Sequence, residues 1–318
     1  MLLRSICFFT AIILLVGCKS TSSFVVPPEY YAIDQQSLSS HVHYLADDAL
    51  KGRASNTEGN DQSALYIAEQ LASFNILTLP EQKNYLVPFK LKKHSSYIVG
   101  NNVIGYKKGT DKANHYIILS AHFDHIGQKG NRIFNGADDN ASGVSGLLEI
   151  AKTLAAQETK YSFIFLFTDS EEINLSGAKA FTKMFPDIVK QTKVNVNLDM
   201  IAGTNTTKQL HIVSYKINKL LNQSNASLFK QLRKKSAVKV KKGFNQSRKS
   251  LGRNRNWNIA SDHGAFYKLG VPFIYYGVGE HVHYHRPTDN YENLNKKFLW
   301  LASNTIYQHL RFLDKHIQ

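Results

Sequence analysis

Three stretches of this chain are apolar at nearly every position: "YIIL" at 116–119, "YSFIFLF" at 161–167 and "PFIYYGV" at 272–278. Such runs read as strands buried on both faces, which is the pattern of a parallel sheet covered by helices. "VNVNLDM" at 194–200 reads as a further strand, and "YLVPFKLKKHSSYIVGNNVIGYKKG" as strand segments separated by Pro88 and glycines. Between them the apolar positions fall at helical spacing. "QSALYIAEQLASF" places Leu65, Ile67, Ala68, Leu71 and Phe74 in a stripe, and Ser142 to about Ala156, "LSGAKAFTKMF" and the closing "LNKKFLWLASNTIYQHLRFL" read as helices. An earlier helix begins near Asp34 or Ser37, either of which can cap it. Strand and helix alternate with no linker between them, which predicts a single α/β domain with a mixed, mostly parallel central sheet flanked by helices. A chain of 318 residues is long enough to bury one large core.

The first eighteen residues follow a different pattern. After Arg4 the chain is apolar up to Cys18, too short for a membrane span of about 20 residues but matching the charged and apolar regions of a secretory signal. The ending "LVGC" resembles the lipobox of bacterial lipoproteins, in which cleavage leaves a lipidated cysteine at the new terminus. The expected layout is a signal peptide over 1–17, a lipidated tether over 18–29 and the folded domain over 30–318. An ordinary signal peptide or an anchor helix is the competing reading. With Lys19 and Ser20 after the cysteine, the resemblance implies an outer-membrane lipoprotein of a bacterial envelope, facing the periplasm. Cys7 would leave with the signal and Cys18 would carry lipid, so a metal site in the domain must be built from His, Asp and Glu.

The net charge of +15 is uneven, since residues 230–255 contain eleven Lys or Arg and no acidic residue. Nucleic-acid binding asks for a recognisable module or for aromatics interleaved with the cations, and only Phe244 is available. A solvated face or a hairpin near an anionic membrane surface fits the block better.

Candidate chemistry gathers where the strands end, the edge at which open α/β sheets bind ligands. His122 and Asp124 follow the first apolar run, a histidine with a carboxylate able to orient its ring. "GADDNASG" places Asp138 and Asp139 in a glycine-rich loop before a helix, Glu171 and Glu172 follow "FIFLFTDS", and Asp199 closes "VNVNL". "HVHYHRPTDN" holds His281, His283 and His285 at alternate positions, which an extended segment would turn to one side without choosing among them. Taken singly, each has a bland alternative: a core histidine, a capped Asx-rich loop, or acids favouring a helix N-terminus. Together they form an oxygen-rich, thiol-free set suited to two zinc ions about 4 Å apart, a pair able to hold a hydroxide and polarise a carbonyl.

The ordered motifs "AHFDHIG", "GADDNASG", "SEE", "LDM", "SDHGAF" and "YHRPTDN" resemble family 28 of the metallopeptidases, the dizinc aminopeptidases, and the likeness extends upstream through "ALKGRASNTEGN" to about residue 37. The resemblance implies a phosphorylase/hydrolase-like fold and peptide substrates. It implies that His122 and Asp199 bind one zinc, that Glu172 and His285 bind the other, and that Asp139 bridges them. Glu171 would be the general base, Asp124 would orient His122, and Tyr284 would stabilise the oxyanion. A cis peptide is expected after Asp139. Asp262 and His263 would shape the wall, while Asp138, His125, His281 and His283 are expected to be loop or hydrogen-bonding residues. Two rivals remain: a glutaminyl cyclase-like enzyme on the same scaffold, where related enzymes use a single zinc, and a non-catalytic binding lipoprotein.

Overall fold

The computed structural model describes residues 31–93, 96–244 and 256–318. The signal peptide, Cys18 and the tether lie outside the described residues, as does the 245–255 part of the basic segment. The strands are β1 (Leu77–Thr78), β2 (Leu86–Lys93), β3 (Ser96–Lys107), β4 (Lys112–His122), β5 (Gly127–Lys129), β6 (Arg132–Phe134), β7 (Tyr161–Thr168), β8 (Thr192–Leu198), β9 (Gln209–Tyr215), β10 (Lys239–Lys242) and β11 (Phe273–Gly277). The helices are α1 (Gln35–Leu45), α2 (Glu58–Ser73), α3 (Gly143–Ala155), α4 (Ser176–Met184), α5 (Pro186–Gln191), α6 (Ile217–Leu220), α7 (Gln223–Lys234), α8 (His263–Lys268) and α9 (Lys296–His316).

The main sheet runs β1-β3-β7-β4-β8-β11-β9-β10, with β2 paired to β3. Its central four strands, β7, β4, β8 and β11, are parallel to one another, while β3 and β9 join this centre antiparallel. All four central strands therefore end at one edge. Register fixes what meets there: His122 pairs with Thr168 and Ser120 with Asn197, so Asp199 falls level with His122.

Side chains alternate between two apolar layers, as the period of two demands. Phe163, Phe165 and Phe167 of β7 and Ile117 and Leu119 of β4 pack in one cluster with residues of α1, α2, α3 and α9. Ile164 and Leu166, with Ile118, pack in the other with Phe181 and Phe266 of α4 and α8. Both faces are covered, which is why these strands read as continuous apolar runs. At about 25 cal/mol per Å² of apolar surface, burying a Phe or Leu contributes about 2–3 kcal/mol, so two dry layers hold the edge in place.

Three expectations need correction. Leu65 is 52% exposed; the buried stripe of α2 is Ala64, Ile67, Ala68 and Leu71, and Leu65 lies about 100° around the helix from Ala64. The described part of the basic segment is no hairpin, because β10 pairs parallel to β9 after the α7 crossover. Residues 281–285 are not extended either. The backbone N–H of Tyr284 donates to His281 O and that of Arg286 to His283 O, making successive turns that send the three histidines to different partners.

Candidate active site

Each sequence-predicted acid or imidazole of the site arrives on the loop leaving a central strand. His122 is the last residue of β4, Asp139 lies in the loop before α3, Glu171 and Glu172 follow β7, Asp199 follows β8, and Tyr284 and His285 follow β11. The Asp139–Asn140 peptide is cis, as expected. Ser170 just before the glutamates, Met200 just after Asp199, and His285 itself all have φ near +60°, at 60°, 58° and 56°. Non-glycine residues held there cost about 1–2 kcal/mol each, and such conformations gather at functional sites.

The side chains form two groups that share one carboxylate. His122 Nε2 lies 3.4 Å from Asp139 Oδ1 and 3.5 Å from Asp199 Oδ1. His285 Nε2 lies 3.1 Å from the other oxygen of Asp139, Oδ2, and 3.4 Å from Glu172 Oε1. Ligands about 2.0–2.1 Å from a tetrahedral zinc stand about 3.3 Å from one another, so these separations fit the edges of two such polyhedra with Asp139 in both. Among the described residues no hydrogen-bond donor reaches the buried Asp199 Oδ1, an acceptor of the kind a cation satisfies. Ligating atoms of His122, Glu171 and Asp199 lie within 4.8 Å of one another, as do those of His125, Asp139 and Glu172.

Asp124 meets His122 chiefly through its carbonyl rather than its carboxylate. Its carboxylate lies 3.7 Å from His122 Nδ1, which instead sits 3.1 Å from the Asp124 carbonyl. The carboxylate accepts from the backbone N–H groups of Glu171 at 2.9 Å and Glu172 at 3.2 Å, so it fixes the loop carrying the two glutamates. Asp289, which the sequence reading passed over inside "YHRPTDN", does the same for the aspartate loop by accepting from the N–H groups of Asp138 at 2.9 Å and Asp139 at 3.0 Å. Arg53, likewise missed inside "ALKGRASNTEGN", is 1% exposed and donates to the carbonyls of Leu45, Phe123, Asn135 and Gly136. Asp138 accepts from His281 at 2.9 Å and His283 contacts Thr288 at 2.9 Å, both as expected. His125 departs from its expected role: it is 2% exposed, and neither ring nitrogen has a well-aligned hydrogen-bond partner among the described residues.

The electrostatics are those of a cavity short of positive charge. Burial pushes Glu171 well above the usual carboxylate range, opposed by His122 and reinforced by Asp199 and Asp262. Burial likewise raises Asp262 to about 6 and, helped by the Asp138 carboxylate, Asp289 to about 7. Burial works to lower His285, but Asp139 and Glu172 override it and hold the imidazole up at about 10. In Glu172 the contacts with His125 and His285 outweigh burial and take it down to about 2. Protons on imidazoles thus supply part of the positive charge that this set of carboxylates calls for.

These groups line a cavity of about 150 Å³ together with Met200, Trp257, Ala260, Tyr275 and Tyr284. The Tyr284 ring stacks on His285 with centroids 3.9 Å apart. His263 stacks on Tyr275 at 4.6 Å, and its Nε2 lies 2.8 Å from the Trp257 carbonyl. Asp262 accepts from Thr168 Oγ1 at 2.5 Å. Neither residue lines the cavity; both support the wall from behind.

Similarity to known proteins covers much of the chain. Residues 102–310 match the family model of Peptidase family M28. Aminopeptidase YwaD of Bacillus subtilis (strain 168) is 28% identical over 236 residues, covering 72% of this chain and 47% of its own length. The chain thus spans about half of that relative. Among solved structures, an aminopeptidase from Aneurinibacillus sp. strain AM-1 superposes with a TM-score of 0.65 at 15% identity, covering 89% of this chain and 95% of that one. The glutaminyl cyclase of Porphyromonas gingivalis superposes with a TM-score of 0.66 at 18% identity, covering 88% and 98%. At these identities the superpositions speak to the fold.

Proposed function

The chain belongs to Peptidase family M28, and from that premise we propose that it is a zinc-dependent aminopeptidase with two metal positions. The observation that carries this reading is the shared Asp139, whose Oδ1 faces His122 and whose Oδ2 faces His285. His122 and Asp199 complete one position, and Glu172 and His285 the other. Zinc bound there lowers the pKa of water and polarises a carbonyl oxygen.

The remaining work falls to the chain itself. Glu171 takes the proton that water loses as its oxygen attacks the carbonyl carbon, and returns it to the departing amine as the C–N bond breaks. A base whose pKa is lifted by burial suits that double duty. Asp124 keeps Glu171 and Glu172 in place through their N–H groups, and Tyr284, which lines the cavity, would donate its hydroxyl to the developing oxyanion. The aromatic wall around Trp257 and Tyr275 receives the first side chain of a peptide.

The proposed setting is the bacterial envelope, with the domain tethered through lipid on Cys18 to the outer membrane and facing the periplasm. Among the described residues no helix is long and apolar enough to cross a membrane.

The test is mass spectrometry of a mixed peptide library incubated with the zinc-loaded chain, beside the same library N-acetylated. Stepwise loss of N-terminal residues from free amines alone is expected. Loss of ammonia confined to peptides beginning with Gln would establish the cyclase instead, and two unchanged libraries would leave a binding protein.

A further inference from the structure

His125 is buried beside the site without a role in the reading above. Its Nδ1 points at the second metal position, lying 3.2 Å from Glu172 Oε1 and 3.9 Å from Asp139 Oδ2. Those two oxygens are the ones that face His285 Nε2, at 3.4 Å and 3.1 Å. The ring is held for this direction. The backbone N–H of His125 donates to the Arg53 carbonyl at 3.2 Å, which fixes the residue's main chain, and the imidazole packs edge-on against His285 with centroids 5.7 Å apart. Gly136 leaves room for it: a Cβ there would stand 2.6 Å from two His125 ring carbons, and the residue has φ +56°.

We propose that His125 is a fourth protein ligand at the position of Asp139, Glu172 and His285. This rests on the two-ion reading and makes the two positions unequal. His125, Asp139, Glu172 and His285 would give that ion four protein ligands, the number found in closed, tightly held zinc sites. His122, Asp139 and Asp199 supply three ligands, which leaves a coordination place open for water or substrate. The ion beside His122 is then the one that exchanges, and the ion beside His125 stays.

Titration of the metal-free chain with Co2+, followed by its visible absorption, separates these cases without reference to activity. The wild-type chain is expected to fill in two unequal steps, the tighter one with the strong absorption of a four-coordinate ion. His125→Ala should weaken the tighter step at least tenfold and dim its absorption, whereas Asp199→Asn should remove the weaker step and leave the tighter intact. Two steps unchanged in affinity and intensity in His125→Ala would overturn the assignment while leaving the two-ion reading standing. A wild-type chain that takes up one Co2+ would overturn that reading and this inference with it. A crystal structure of the zinc-loaded wild-type chain decides the point independently of any variant. A His125 Nδ1 to zinc distance of about 2.0–2.1 Å supports it and one beyond about 3 Å contradicts it.

Discussion

Glu171 and His285 carry opposite electrostatic burdens, and each leads to its own expectation. Glu171 is a proton carrier in this reading and no ligand, so Glu171→Gln should bind metal as the wild type does and lose about 10²–10⁴-fold in kcat. Metal content measured beside steady-state rates checks it, and an active variant would remove the general-base role. His285 has its folded pKa raised from 6.5 to about 10. In the metal-free chain its contribution to stability is full below about pH 6.5 and is lost as pH rises through about 10. Zinc competes with the same proton, so zinc affinity should climb across that window with proton release, measured by calorimetry in buffers of different ionisation enthalpy. A pH-independent affinity would contradict it. At this scale His122, Glu171, Glu172 and Asp199 were legible because they close apolar strands, whereas Asp139 and His285 were singled out from their neighbours only by the family resemblance. The sequence hid Asp289, Arg53 and the direction of His125, because a carboxylate that holds backbone N–H groups and an arginine that holds carbonyls leave no periodic trace.

The loops at the ends of the central strands are irregular, and buried polar groups hold them. Arg53 ties together the carbonyls of Leu45, Phe123, Asn135 and Gly136, which lie at the end of α1, in the loop after β4 and in the loop before Asp139. A lysine has one ammonium where the guanidinium has a planar fork of five donors, so Arg53→Lys leaves several of these carbonyls unpaired. At about 1–3 kcal/mol for each buried group left unsatisfied, the metal-free variant should lose about 2 kcal/mol or more in denaturant unfolding. Stability equal to the wild type would show that the four carbonyls find other donors. The central strands and long helices were legible in the sequence because each is buried on a face with its own period. The turns at 281–285 were not, since alternating histidines mimic a strand while the i→i+3 hydrogen bonds that override it depend on neighbours. Asn195 and Asn197 show a similar gap: they interrupt an apolar strand because their side chains bond Ser120 and Ser261 inside the sheet.

At the scale of the whole molecule, the β9–β10 end of the described sheet carries a cationic groove. Residues 200–261 contain no Asp or Glu, and Lys230, Arg233, Lys234 and Lys242 line a groove between α7 and β10. This edge should favour anionic over neutral phospholipid vesicles at low salt. Charge reversal of Lys230, Lys234 and Lys242 to Glu should abolish the preference and leave peptide turnover unchanged. An equal preference in the variant would assign the edge another purpose. The fold itself was legible at this scale, because alternating strands and helices leave few topologies. The catalytic centre remains the part on which the reading stands, and stepwise zinc addition to the metal-free chain, with release of an N-terminal residue followed at each step, tests it most directly. The wild-type chain should bind two zinc ions and reach full turnover only as the second is filled, while Asp139→Ala should bind neither firmly and stay inactive. Full turnover at one zinc per chain, or in Asp139→Ala, would contradict a two-ion peptidase centre.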